Sequence, residues 1–145
     1  MAIVAVTKNN VAAWAGLCSG LWPHNPAGDM QTEWEQGHLP HEFLYEEQGG
    51  YIAFISLSLR QDYVEGKTDD NPVGYIEGIY VQESHRHRGI AAELVAFAKT
   101  WAKGQGCTML ASDCEIDNTQ SRAFHNRVGF GEESINVHFK MELGE

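Results

Sequence analysis

The chain has 145 residues, with 20 acidic against 10 basic side chains and a formal charge of -10, a balance that excludes general binding to nucleic-acid phosphates and favours cationic partners. Its length suits one domain, residues 1–145, whose core needs neither disulfides nor metal. Cys18, Cys107 and Cys114 form no paired motif; with no basic leader and no apolar run of membrane length, they point to a reducing cytoplasm.

Ile3, Val4 and Val6 predict a short first strand. Asn9 or Asn10 then caps a helix carrying Val11, Trp14, Leu17, Cys18 and Leu21, which Pro23 ends. Asp29 is placed to cap a second, short helix through Met30, Trp34 and Glu35. "EFLYEE" and "YIAFISLSL" read as a hairpin around Gln48, Gly49 and Gly50, because a glycine pair supplies the positive φ of a tight turn.

The loop "RQDYVEGKTDDNP" leads into a third long strand, "VGYIEGIYV". From Gly89 the set Ile90, Leu94, Phe97, Ala98 and Trp101 keeps helical spacing, closed by Gly104 and Gly106. "TMLASD" has strand length, "DNTQSRAFHNRVGF" reads as a helix opened by Asn118 or Thr119, and "SINVHFKMEL" alternates like an edge strand. The order βααβββαβαβ, without repeats or linkers, predicts an α+β, three-layer domain on one mixed sheet.

Arg86, His87, Arg88 and Gly89 stand where an apolar strand gives way to an amphipathic helix. A glycine-containing turn entering a helix leaves N–H groups pointing one way and makes an anion site, to which Arg86 and Arg88 add charge. The chain has neither GxxxxGK nor GxGxxG, so Mg-nucleotide hydrolysis and dinucleotide binding are not indicated. His85 and His87 stand two apart with no obvious third ligand, which predicts no metal.

"RHRGIA", Arg86 to Ala91, resembles the R/Q-x-x-G-x-G/A signature of the GNAT acetyltransferase superfamily, and Asn118 to Phe130 resembles that family's later helix. "LWP", "LRQDYVEG", "IEGIYV" and "ASD" are similar, in the same order, to stretches of its bacterial aminoglycoside 6'-N-acetyltransferases. The resemblance implies a GNAT fold with a mostly antiparallel sheet, acetyl-CoA as cosubstrate, and a homodimer. It implies that backbone groups of Ile79, Tyr80 and Val81 hold the pantetheine arm, that His87, Gly89, Ile90, Ala91 and Ala92 hold the pyrophosphate, and that Asn118 contacts the cofactor.

Acetyl transfer to an amine needs a carboxylate that orients the ammonium and accepts a proton. Glu77, inside an apolar strand, and Asp113, at the end of another, are the candidates; a solvent-facing Glu and a turn or capping Asp are the plain alternatives. His125 stands where many family members carry a tyrosine acid, or else is a packed helix residue. Asp62, Glu65, Asp69 and Asp70, with Glu115 and Asp117, would concentrate a polycation.

Trp22 and Tyr63 offer flat surfaces for an aminosugar ring, or else anchor the core. The subgroup likeness implies substrate contacts at Trp22, Tyr63, Glu77 and Asp113. Where relatives often read "GFEETE", this chain reads "GFGEES", with Ser134 in place of the last acid. Acetylation of polyamines or protein amines is the competing enzymatic reading, and a non-catalytic acyl-CoA sensor the non-enzymatic one. The last strand could pair with another chain or stay internal.

Overall fold

The computed structural model describes residues 2–61, 67 and 69–144. It divides into two compact units, residues 1–113 and 114–145. The first holds a five-stranded sheet in the order β1 (Ala2–Ala5), β2 (Glu42–Glu47), β3 (Gly50–Arg60), β4 (Val73–Val81) and β5 (Leu110–Ala111). Neighbours among β1 to β4 are antiparallel, and β5 joins β4 in parallel.

β3 is buried without a break from Ile52 to Leu57, as a central strand covered on both faces must be. On one face α1 (Val11–Leu21) sets Trp14, Leu17 and Cys18 against Leu44 and Phe54. α2 (Ala27–Glu35) adds Met30 and Trp34 at the edge of that cluster. On the other face α3 (Ile90–Gly104) buries Ile90, Leu94, Val95, Ala98 and Ala102, and its Phe97 meets Phe43 at 4.8 Å between ring centroids.

Several boundaries differ from expectation. The Asn10 side chain does not cap α1; its Oδ1 accepts from Thr7 N–H and its Nδ2 donates to the Ala5 carbonyl, bracing the turn instead. α2 starts at Ala27 behind Pro26, whose fixed φ suits a helix entry, so Asp29 falls inside the first turn. β5 is only two residues long because its ladder with β4 ends at Tyr75 and Ala111.

In the second unit Asn118 caps α4 (Thr119–Arg127) by accepting from Ser121 N–H at 3.1 Å. The expected last strand is not formed: residues 131–144 carry no ladder, and Ile135, Val137, Phe139, Met141 and Leu143 are 70–91% exposed. A strand exists only against a neighbour, and none among the described residues pairs with it. No helix among the described residues is long and apolar enough to cross a membrane.

Candidate active site

The sheet opens where β4 outruns β5. β4 pairs with β3 as far as Val81, yet with β5 only at Gly74 and Tyr75. Ile79, Tyr80 and Val81 thus sit on a stretch whose β5-facing edge has no ladder partner among the described residues. An extended ligand arm can pair with such an edge as an added strand would.

Beyond Val81 a short 3-10 turn (Glu83–His85) leads to the loop before α3. There the backbone turns left-handed twice, at His87 (φ 64) and at Gly89 (φ 81). That region is uncommon for residues other than glycine, although histidine is among those that enter it most readily. No side chain caps α3, so the N–H groups of Ile90, Ala91 and Ala92 remain donors for an anion.

The two arginines of this loop are engaged. Arg86 donates through Nε to the Val81 carbonyl at 2.8 Å and lies 5.5 Å over the Tyr80 ring. Arg88 Nη2 pairs with Glu47 Oε1 at 2.6 Å, so its charge is shared with β2.

Next to the open edge lies a cavity of about 680 Å³ lined by Trp22, Asn25, Met30, Glu42, Ser58 and Glu77, among others. That volume suits one or two sugar rings. Trp22 reaches it because β4 carries glycine at position 78: a Cβ there would lie 2.5 Å from Trp22 Cζ2. Glu77 projects from an irregularity in β4, since Ser56 pairs with Gly78 while Leu57 pairs with Ile76. Such bulges re-aim side chains beside functional sites.

Glu77 is densely partnered. Its Oε2 accepts from Ser58 Oγ at 2.5 Å and from Arg60 Nε at 3.1 Å, and its Oε1 accepts from Arg60 Nη2 at 2.8 Å. The Arg60 guanidinium also stacks 3.5 Å over the Tyr75 ring, and the Tyr75 hydroxyl donates to Asp113. Arg60 and Tyr75 therefore join the two candidate acids. Burial, followed by the Asp113 hydrogen bond and charge, raises the Tyr75 phenol above its usual range, so it remains a donor.

Glu42, at the start of β2, is buried with 3% exposure. Burial pushes its carboxyl up to about 8; the hydrogen bond from Ser56 Oγ and the nearby Trp14 indole N–H oppose the shift, and the Glu77 charge adds to it. The Cys18 thiol is pushed up to about 12, by burial first and by Glu42 second, and is inert.

The structure brings Trp22 and Glu77 to one cavity and ties Asp113 to them through Tyr75 and Arg60. Tyr63, with Asp62 and Glu65, lies outside the described residues. Asp69 is turned to Thr108 Oγ1 at 2.7 Å. In the second unit Asn118 serves α4 as its cap, and His125 Nδ1 lies 2.7 Å from the Ser121 carbonyl with its ring 5.3 Å from that of Phe130.

Sequence reasoning missed Arg60, which it put in a loop, along with Tyr75 and Glu42. One signal was present: Ser56, Ser58 and Arg60 alternate in polarity along an otherwise apolar strand, so they mark one polar face.

Comparison with known proteins gives consistent findings. The model of the Acetyltransferase (GNAT) family matches residues 4–130. The chain is 38% identical to an aminoglycoside N(6')-acetyltransferase type 1 of Serratia marcescens, covering 98% of this chain and 99% of that one. It is 39% identical to a protein of the same name from Acinetobacter genomosp. 13, over 99% of this chain and all of that one. Among solved structures, the aminoglycoside N-acetyltransferase AAC(6')-Iy in complex with CoA superposes with TM-score 0.89 at 32% identity, covering 97% of this chain and 93% of that one. The same enzyme with a bisubstrate analogue, CoA-S-monomethyl-acetylneamine, gives 0.88 at 33% identity, covering 97% of each chain.

Proposed function

This chain belongs to the acetyltransferase (GNAT) family, and on that premise we propose that it transfers the acetyl group of acetyl-CoA to the 6'-amine of aminoglycosides. The observation that carries the reading is the cavity where Trp22, Glu42 and Glu77 meet, beside the stretch of β4 that β5 leaves unpaired. An aromatic wall with carboxyl groups is what a charged aminosugar ring requires. The names of the relatives and the bisubstrate analogue bound to AAC(6')-Iy support the choice of substrate.

In this reading acetyl-CoA lies along Ile79, Tyr80 and Val81, with its pyrophosphate on the N–H groups at the start of α3 and on His87 and Gly89. Asn118 contacts the cofactor, and Arg86 and Arg88 supply background positive charge. The substrate amine arrives protonated, and Glu77 orients it and takes its proton through a water.

The amine lone pair then attacks the thioester carbon, and the carbonyl electrons move to oxygen, which a β4 backbone N–H stabilises. Collapse re-forms the carbonyl and breaks the C–S bond. The CoA thiolate leaves with the second amine proton, relayed by His125 or water. The products are an amide, CoA thiol and one proton in solution. Trp22 and Tyr63 hold the sugar, and Asp113 with Tyr75 and Arg60 fixes Glu77 and binds a further ammonium group.

The acetylated antibiotic loses a positive charge needed for recognition, so the enzyme confers resistance. It works in the cytoplasm, where acetyl-CoA is made, with residues 1–145 forming one domain. It pairs as a homodimer, whose second copy would cover the exposed apolar residues Ile135 to Leu143.

Glu77→Gln tests the reading. With neamine as acceptor, kcat should fall about a hundredfold or more while CoA affinity stays within twofold of wild type. An unchanged kcat would remove Glu77 from the mechanism.

A further inference from the structure

An acid stands beside the anion-binding turn. Glu47 ends β2, and its Oε1 accepts from Arg88 Nη2 at 2.6 Å. A carboxylate next to a pyrophosphate site is unfavourable, since like charges repel, and this one also cancels the charge of a loop arginine. Nor is Glu47 a freely hydrated surface acid. Its side chain is 21% exposed, and its Oε2 is buried with no hydrogen-bond partner, an arrangement of which native structures keep few. Charge alone does not explain its place.

Position does. Arg88 lies between His87 and Gly89, the two left-handed residues of the loop, so its tie to Glu47 fixes the chain where it turns. Two residues earlier on β2, Tyr45 reaches the same side of the sheet and donates to Glu93 Oε2 at 2.6 Å, in the first turn of α3. β2 thus grips the chain on both sides of Ile90, Ala91 and Ala92, whose N–H groups no side chain caps. Arg86 adds a third tie, to the Val81 carbonyl of β4.

We propose that Glu47 is a positioning residue for the cofactor: through Arg88 it holds the turn before α3 in the form that receives the pyrophosphate of acetyl-CoA. The inference rests on the reading that acetyl-CoA lies on this loop and deepens it by a residue outside the loop. A turn already ordered loses less freedom when the cofactor binds, which offsets the repulsion from the Glu47 carboxylate. The two roles open to the pair have opposite signs. If Arg88 acted by charge, Glu47→Gln would free that charge and tighten CoA binding; if it acts as a tie, the same change removes its anchor and weakens binding.

The test is titration calorimetry of CoA binding to the full chain, comparing wild type, Glu47→Gln, Arg88→Gln, the double variant and Gly89→Val. Glu47→Gln should weaken CoA by roughly threefold to tenfold, although it removes a negative charge from the site. Added to Arg88→Gln it should weaken CoA no further, because the two partners of one tie are not additive. Urea unfolding of the same samples reports that the fold is kept. Should Glu47→Gln fail to fold, Glu47→Asp decides. It keeps the charge but draws the carboxylate back from Arg88 by one methylene, and CoA affinity should fall in the same range.

With Gly89→Val weakened, the Glu47 assignment alone would be overturned by CoA binding that is unchanged or tighter in Glu47→Gln, by an equal further loss when Glu47→Gln is added to Arg88→Gln, or by unchanged binding in Glu47→Asp. Unchanged binding in Gly89→Val, or no CoA bound by wild type, would overturn the cofactor placement as well.

Discussion

Arg60 Nη2 lies 2.8 Å from both carboxylate oxygens of Glu77, so the acid assigned to the substrate amine already carries an internal cation. Both side chains are about one-third exposed, at 33% and 35%. A pair so placed contributes little stability on its own and can be exchanged for an incoming ammonium group. Its guanidinium need not travel far, because it already stacks on Tyr75, whose hydroxyl holds Asp113. Arg60 thus links the two acids, and in the proposed reaction it holds the place at Glu77 that the substrate ammonium takes.

Arg60→Ala should therefore split the kinetic constants. Without the competing cation KM for neamine falls, by roughly threefold to tenfold, while kcat falls by about tenfold because Glu77 loses the group that orients it. Steady-state kinetics check this; a raised KM with kcat unchanged would mean that Arg60 does not compete with substrate.

Gly78→Ala should displace Trp22. The new Cβ would lie 2.5 Å from Trp22 Cζ2 and 2.8 Å from Leu21 Cδ2, and such overpacking typically costs ~1–3 kcal/mol. Urea unfolding should show that loss, and KM for the aminosugar should rise while CoA affinity does not. Unchanged neamine affinity would take Trp22 out of the binding wall.

Gly89→Val acts at the other end of the site. Gly89 has φ 81, and a Cβ there would meet no protein atom within 4 Å, so the demand for glycine is conformational. A β-branched residue in the left-handed region costs about 1–3 kcal/mol and would move the first N–H groups of α3. CoA affinity should fall by about tenfold or more, read by calorimetry, and an unchanged affinity would remove this loop from the pyrophosphate site.

Glu42 makes stability depend on pH. Burial, first among its causes, raises its carboxyl from 4.5 to about 8, so between those values the folded chain holds a proton that the unfolded chain has lost. Its contribution is intact below pH 4.5 and falls as pH rises through about 8. Relative to wild type, Glu42→Gln should gain stability across that window, by an amount on the order of a few kcal/mol at its upper end. Urea titrations at pH 5, 7 and 9 measure it; parallel curves at all three would show that Glu42 is not held neutral.

Much of this was legible in the sequence. The periodicity of Ile90 to Trp101, the glycine turn at Gln48 to Gly50 and the apolar run Ile52 to Leu57 placed α3, the hairpin and the central strand. The strand-to-helix junction at Arg86 to Gly89 located the loop whose backbone proves left-handed. Less legible were features created only by pairing. The bulge that aims Glu77 arises from the register of β3 against β4, which side-chain alternation cannot reveal. Arg60 looked like a loop residue because polar side chains on a buried strand resemble its end. The alternation of Ile135 to Leu143 was real, yet alternation alone does not supply a neighbouring strand.

The most direct measurement is CoA release during turnover of acetyl-CoA with neamine, with its analogue bearing a hydroxyl in place of the 6'-amine, and with spermidine. The expected result is turnover with neamine and none with the hydroxyl analogue, the product carrying its acetyl group on the 6' nitrogen by mass spectrometry. Turnover with the hydroxyl analogue would contradict the regiochemistry, and turnover with spermidine alone would make the enzyme a polyamine acetyltransferase.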